Sequence, residues 1–159
     1  LELILQLPRE RRPEYGGTIA GVSAVNAAAS LLGAPLMHDF AVISLSNLLT
    51  PWELIKKRVD MAGQGDFVIA LYNPKSKKRV QNIKEVREIL LKYRDPKTPV
   101  GIVTAATRPD EKKVLSTLDD FTKEDINMFS LVVIGNSQTY VKEGYMITPR
   151  GYGNKEEGL

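Results

Sequence analysis

The sequence predicts an α/β fold, a mixed sheet flanked by helices, and three observations lead there. Short apolar runs at Phe67–Leu71, Val100–Thr104 and Leu131–Ile134 have the length and composition of buried strands. Segments with apolar residues at helical spacing alternate with them, the signature of an α/β chain. Finally, Lys113–Leu118 and Leu131–Ile134 follow one another without a long helical segment between them. Parallel neighbours need a long crossover, so the sheet is expected to be mixed rather than all parallel.

In chain order, Leu1–Gln6 is a short apolar run, and Pro8–Pro13 is charged and breaker-rich, so one element ends here and a loop follows. Gly16 and Gly17 punctuate the chain before Thr18 and Ile19. From Val22 to Leu32 the apolar positions Val22, Val25, Ala29 and Leu32 recur at helical spacing, with Ser23 or Thr18 available as caps. Ala24, Ala27, Ala28 and Ala29 make this a small-residue helix able to approach a neighbour closely, and Gly33 and Pro35 stop it. Phe40–Leu45 is the next strand. Thr50-Pro51-Trp52-Glu53 has the Thr-x-x-Glu spacing of a capping box with Pro at the first helical position. The helix it opens is expected to run to about Ala62, with Trp52, Ile55 and Val59 inward. After the Phe67–Leu71 strand and the Tyr72-Asn73-Pro74 break, a third helix is predicted from about Lys78 to Tyr93, with Val80, Ile83, Val86 and Leu90 on its inner face. Val100–Thr104, Lys113–Leu118 and Leu131–Ile134 follow as strands, Tyr145–Thr148 can pair at an edge, and the tail from Gly151 is polar.

The 159 residues suffice for one domain with its own core. Hydrophobic and charged shares of 43% and 26% are those of a globular chain, not a disordered one. With 22 Lys+Arg against 19 Asp+Glu the net charge is +3. The basic run Lys75, Lys77, Lys78 and Arg79 is short and reads as a solvated helix start, so the weak clustering argues against a nucleic-acid partner. There is no cysteine, which excludes disulfides, thiolate catalysis and Cys-ligated zinc or iron–sulfur clusters, and fits a reducing cytoplasmic setting. No apolar run approaches the roughly 20 residues of a membrane span, so no membrane partner is expected. The chain opens on Leu1 rather than Met, which leads to the expectation that it is a fragment of a longer protein.

Dinucleotide, P-loop, zincin and nucleophile-elbow motifs are all absent from the sequence. His38 is the single histidine, so no multi-histidine metal site exists, and its place after Gly33-Ala34-Pro35 fits a structural or pocket-wall role. Asp39, Asp66 and Asp110 are scattered singly and form no acid–base pair. No catalytic residue and no metal ligand is assigned. What remains is a set of strand-to-loop junctions, where open α/β sheets place ligands. These are Tyr72-Asn73-Pro74, Thr104–Pro109 and Gly135-Asn136-Ser137. Their small and hydroxyl side chains and exposed backbone suit an adenosine ligand, although Asn-Pro and Gly-Asn are also common turn dipeptides.

In combination and order these segments resemble the tetrapyrrole methylase family, and within it the precorrin-3B C(17)-methyltransferase subgroup. The resemblance rests on Ala27–Pro35 (AAASLLGAP), His38–Leu45 (HDFAVISL), Thr50–Glu53, Phe67–Pro74 (FVIALYNP) with Ser76–Arg79, Gly101–Val103 ahead of Thr107-Arg108-Pro109, Met128-Phe129, Val133–Thr139 (VIGNSQT) and Thr148–Tyr152 (TPRGY). It starts near Ala20-Gly21, where the family normally has Pro-Gly. It implies a two-domain enzyme, commonly a homodimer, that methylates carbon 17 of precorrin-3B or its cobalt form with ring contraction, in cobalamin biosynthesis. S-adenosylmethionine is the implied methyl donor, held in the cleft between domains. Residue by residue, the implied cofactor contacts fall on Ser23 and Ala24, on Leu71, Tyr72 and Asn73, and on Ala105, Ala106 and Thr107. The implied organisation is a poorly matched segment over 1–17, an interdomain helix region over 18–36, the methylase C-terminal domain over 37–152 and a tail over 153–159. The family's N-terminal domain is expected to be absent from this chain, leaving part of a site. The alternatives are a non-catalytic remnant or dimerisation module, and a family member acting at another corrin carbon or on RNA.

Overall fold

Strict alternation along the central strands sorts their side chains onto two faces. In the computed structural model, which describes residues 5–13, 17, 19–76 and 80–151, the chain runs α1 (Ala24–Leu32), β1 (Gly33–Ala34), β2 (Phe40–Ser44), α2 (Trp52–Gln64), β3 (Val68–Tyr72), α3 (Gln81–Leu90), β4 (Pro99–Thr104), β5 (Lys112–Thr117), β6 (Ser130–Ile134), β7 (Tyr140–Lys142) and β8 (Tyr145–Ile147). Ile69 and Leu71 of β3, Val100 and Ile102 of β4, and Val132 and Ile134 of β6 face α2 and α3, where Ile55, Val59, Ile83, Val86 and Leu90 meet them. The intervening Val68, Ala70, Val103, Leu131 and Val133 face α1 through Val25, Ala28 and Leu32. A layer of helices on each face of one sheet is the arrangement that buries all these runs.

The main sheet has the order β2-β3-β6-β4-β5 and is mixed, as expected. β2 and β3 are parallel, whereas β6 is antiparallel to both β3 and β4, and β5 is antiparallel to β4. Helices α2 and α3 therefore carry the chain between strands that point the same way. β6 is inserted between β3 and β4 in the opposite direction. α1 lies close over β4 because Gly101 has no side chain: a Cβ there would come within 2.5 Å of Leu32 Cδ2.

Three local expectations are corrected. The Thr50–Glu53 capping box does not form. The amides of Leu54 and Ile55 both donate to Pro51 O, which makes Pro51 the N-cap and leaves Thr50 outside the helix. Glu53 instead pairs with Lys56 at 2.8 Å, and Trp52, half-buried, donates its indole N–H to Glu85 Oε2 at 2.9 Å. Val22 and Val80 precede their helices and are exposed, since α1 starts at Ala24 and α3 at Gln81. Tyr145–Ile147 does not join the main sheet. It is the central strand of a second sheet, β1-β8-β7, parallel to β1 and antiparallel to β7. Ser23 does cap α1, accepting from the Asn26 amide at 3.3 Å. The alternative cap Thr18, the basic residues 77–79 and the polar tail over 153–159 lie outside the described residues.

Candidate functional site

Strand direction decides which junctions can meet. β2, β3 and β4 all run toward one edge of the sheet, and β6 starts there, with Thr104 level with Ser130 and Leu71 level with Val132. The loops after Ser44, Tyr72 and Thr104 therefore share this edge with the N-terminus of α1. Gly135-Asn136-Ser137 does not. Because β6 is antiparallel to its neighbours, that junction emerges at the opposite edge, where Gly135 N donates to Pro99 O and Ser137 N donates to Asp66 Oδ1 at 2.9 Å. Arg94, 6% exposed, fastens this far edge by donating to the carbonyls of Gly135 and Phe67. Burial brings its guanidinium pKa down to about 10, with nearby Asp66 acting in the other direction. The third expected junction thus lies at the opposite edge from the other two.

At the near edge, a hollow of about 280 Å³ opens between α1 and the β4–β5 connection. It is lined by Val22, Ala24 and Ala27 around the start of α1, by Val103, Phe129 and Leu131, and by Ala105, Ala106, Thr107 and Arg108 of the β4–β5 connection. Of the expected cofactor contacts, Ala24, Ala105, Ala106 and Thr107 line this hollow. Ser23 adjoins it as the cap of α1.

Leu71, Tyr72 and Asn73 do not line it, and each has an evident reason. Leu71 faces α2 and α3 and is fully buried there. The Tyr72 hydroxyl accepts a hydrogen bond from the Val25 amide at 3.1 Å, satisfying one of the free N–H groups at the start of α1. Asn73 turns toward β2 and donates from Nδ2 to Ser44 Oγ at 3.0 Å. His38 is exposed at a left-handed backbone position, and among the described residues no group of three or more His, Cys, Asp or Glu side chains could hold a metal.

The backbone of this edge is strained. Asn73, Ala105 and Thr107 have φ of 49°, 52° and 64°. Asn tolerates that region, but a β-branched threonine there is an outlier. Ala105 is anchored by its N–H to Phe129 O at 3.1 Å, and Arg108 N returns to Ala105 O at 3.0 Å, closing a turn around Ala106 and Thr107. Inside that turn the Thr107 amide donates to Glu111 Oε2 at 2.6 Å. The Ala106 N–H makes no hydrogen bond among the described residues. The hollow thus offers apolar walls and a backbone donor, which fit a flat apolar group with a polar edge such as an adenosyl moiety. Sequence reasoning missed Val22 and Glu111 as site residues, and Phe129 entered it only through the resemblance. Each lies close in sequence to a lining residue, Val22 to Ala24, Glu111 to Arg108 and Phe129 to Leu131, but only the fold brings these three segments together.

This is an α/β domain with strained strand-to-loop junctions beside a capped helix along one edge of its sheet. The family description Tetrapyrrole (Corrin/Porphyrin) Methylases matches residues 10–122, and the chain belongs to that family. It is 54% identical over 134 residues to the probable cobalt-factor III C(17)-methyltransferase of Salmonella typhimurium, covering 84% of this chain and 56% of that protein. With the cobalt-factor III methyltransferase of Priestia megaterium it shares 56% identity over 137 residues, covering 86% of this chain and 25% of that protein. Among solved structures, the methyltransferase CobJ superposes with a TM-score of 0.77 at 39% identity, over 81% of this chain and 54% of that one.

Proposed function

We propose that this chain supplies the β-edge half of an S-adenosylmethionine-dependent C-methyltransferase that methylates carbon 17 of precorrin-3B or its cobalt form, with ring contraction, in cobalamin biosynthesis. The observation that carries the reading is the identity of 54–56% to proteins named for cobalt-factor III methylation, over most of this chain. The strained, backbone-lined hollow at the near edge supports the cofactor assignment.

S-adenosylmethionine, when bound, supplies a methyl group on a sulfonium already activated for transfer to carbon. This chain's residues then have to bind, orient and exclude water. Val22, Ala24, Ala27 and Phe129 offer the apolar walls for an adenosyl group, and the free Ala106 N–H offers a donor to its polar edge. Ala105 and Thr107 hold that donor in the lining through their left-handed backbone, a conformation that costs about 1–3 kcal/mol per residue and persists only when the surroundings fix it. The remaining expected contacts, Leu71, Tyr72 and Asn73, act indirectly in this reading: Tyr72 fixes the start of α1, and Asn73 fixes the end of β3 against β2. A homodimer and a cytoplasmic setting belong to the same proposal. Among the described residues no helix is long and apolar enough to cross a membrane.

The test is methyl transfer by a chimaera. This chain is joined to the part of the Salmonella relative that it does not match, and supplied with methyl-labelled S-adenosylmethionine and cobalt-factor III. Label on carbon 17 is the expected result. No transfer by a folded chimaera, beside full transfer by the intact relative, would overturn the proposal.

A further inference from the structure

The connection between β4 and β5 is longer and more strained than a hairpin requires. The two strands pair up to Thr104 and Lys112, so the connection runs through residues 105–111, where about two residues are enough for a tight hairpin. It contains two non-glycine residues at positive φ, Ala105 and Thr107. Two successive turns shape it, one closed by Arg108 N to Ala105 O and the next by Glu111 N to Arg108 O, both at 3.0 Å. Pro109 sits at the first central position of the second turn, where its fixed φ is preset. These backbone bonds leave the Thr107 amide unused, and the carboxylate of Glu111 reaches back to take it at 2.6 Å. The bond joins the last residue of the connection to its most strained one. It lies outside the hollow, since Glu111 is not among the lining residues.

We propose that Glu111 is a positioning residue for cofactor binding. Its carboxylate holds Thr107 in the left-handed conformation and thereby aims the Ala106 N–H into the hollow. This rests on the cofactor reading given above. No other side chain among the described residues accepts from the Thr107 amide. Loss of the carboxylate lets Thr107 relax to negative φ and turns the Ala105–Thr107 peptides away from the hollow. A glutamine at the same position keeps a carbonyl acceptor of the same reach and preserves part of the hold.

The test compares the wild-type chain with Glu111→Ala and Glu111→Gln, each isotope-labelled and titrated with S-adenosylhomocysteine, with amide exchange measured on the free proteins. In Glu111→Ala, exchange at Thr107 should rise and affinity should fall about three- to ten-fold, the range of one modest hydrogen bond. In Glu111→Gln both effects should be smaller, and the melting temperature should stay near that of wild type in both. Unchanged exchange at Thr107 in Glu111→Ala overturns the hold itself, whatever the wild type binds. Raised exchange with unchanged affinity overturns the link to the cofactor. A wild type that shows no shifts on titration overturns the cofactor reading of the hollow, and the positioning role with it.

Discussion

Thr107 carries the sharpest tension between a residue's preference and its place. A β-branched side chain at φ 64° is strained, and glycine takes that region freely. Thr107→Gly should therefore leave the melting temperature unchanged or raise it, whereas a Thr-to-Gly change at an exposed position of ordinary φ lowers it. The same variant should bind S-adenosylhomocysteine more weakly, because the loop is no longer held in one conformation. Tyr72 is the second residue whose identity matters beyond its burial. Tyr72→Phe keeps the ring but removes the acceptor for the Val25 amide, and should cost about 1 kcal/mol in a denaturant titration, with faster exchange at Val25. The sequence marks both residues as part of a ligand junction but not how they act. A positive φ at Ala105 or Thr107 leaves no trace in residue type. The partner of the Tyr72 hydroxyl lies 47 positions away in the chain.

Helix α1 forms because its alanines and Val25, Leu32 and Ala29 give one apolar face, and its closeness to the sheet depends on one position in β4. Gly101→Ala would put a Cβ about 2.5 Å from Leu32 Cδ2 in a fully buried setting. It should destabilise by about 1–3 kcal/mol, and Leu32→Ala in the same chain should cost less than it does in wild type, a coupling that a double-mutant cycle reads directly. Arg94 fastens the far edge in the same way. Arg94→Met leaves the carbonyls of Gly135 and Phe67 without their donor and should cost about 2–4 kcal/mol in thermal unfolding. Most elements were legible to within a few residues, because apolar periodicity records burial. Element ends were less so. The Thr50–Glu53 pattern satisfies the spacing of a capping box, yet Pro51 takes the cap because its carbonyl receives both first-turn amides. The place of β6 was not legible. The missing helix before it signals a mixed sheet but not which strands it pairs with, and its insertion between β3 and β4, antiparallel to both, sends Gly135-Asn136-Ser137 to the opposite edge.

For the whole molecule, two helical layers on a mixed five-stranded sheet put the N-terminus of α1 and the ends of β3 and β4 along one edge. The chain spans 25% and 56% of the length of the two curated relatives described. The family was legible from ordered segments such as HDFAVISL and LYNP, because their combination is specific although each short piece is not. The division of labour among the expected cofactor residues was not legible, since it depends on which face of β3 each side chain takes. The decisive experiment is a titration of the isotope-labelled chain with S-adenosylhomocysteine, followed at every backbone amide. The largest shifts should fall on Ala24 and on Ala105, Ala106 and Thr107, with smaller ones at Val25 and Asn73. Shifts confined to the Gly135–Ser137 edge, or to the α2–α3 face, would contradict the cofactor reading of the hollow.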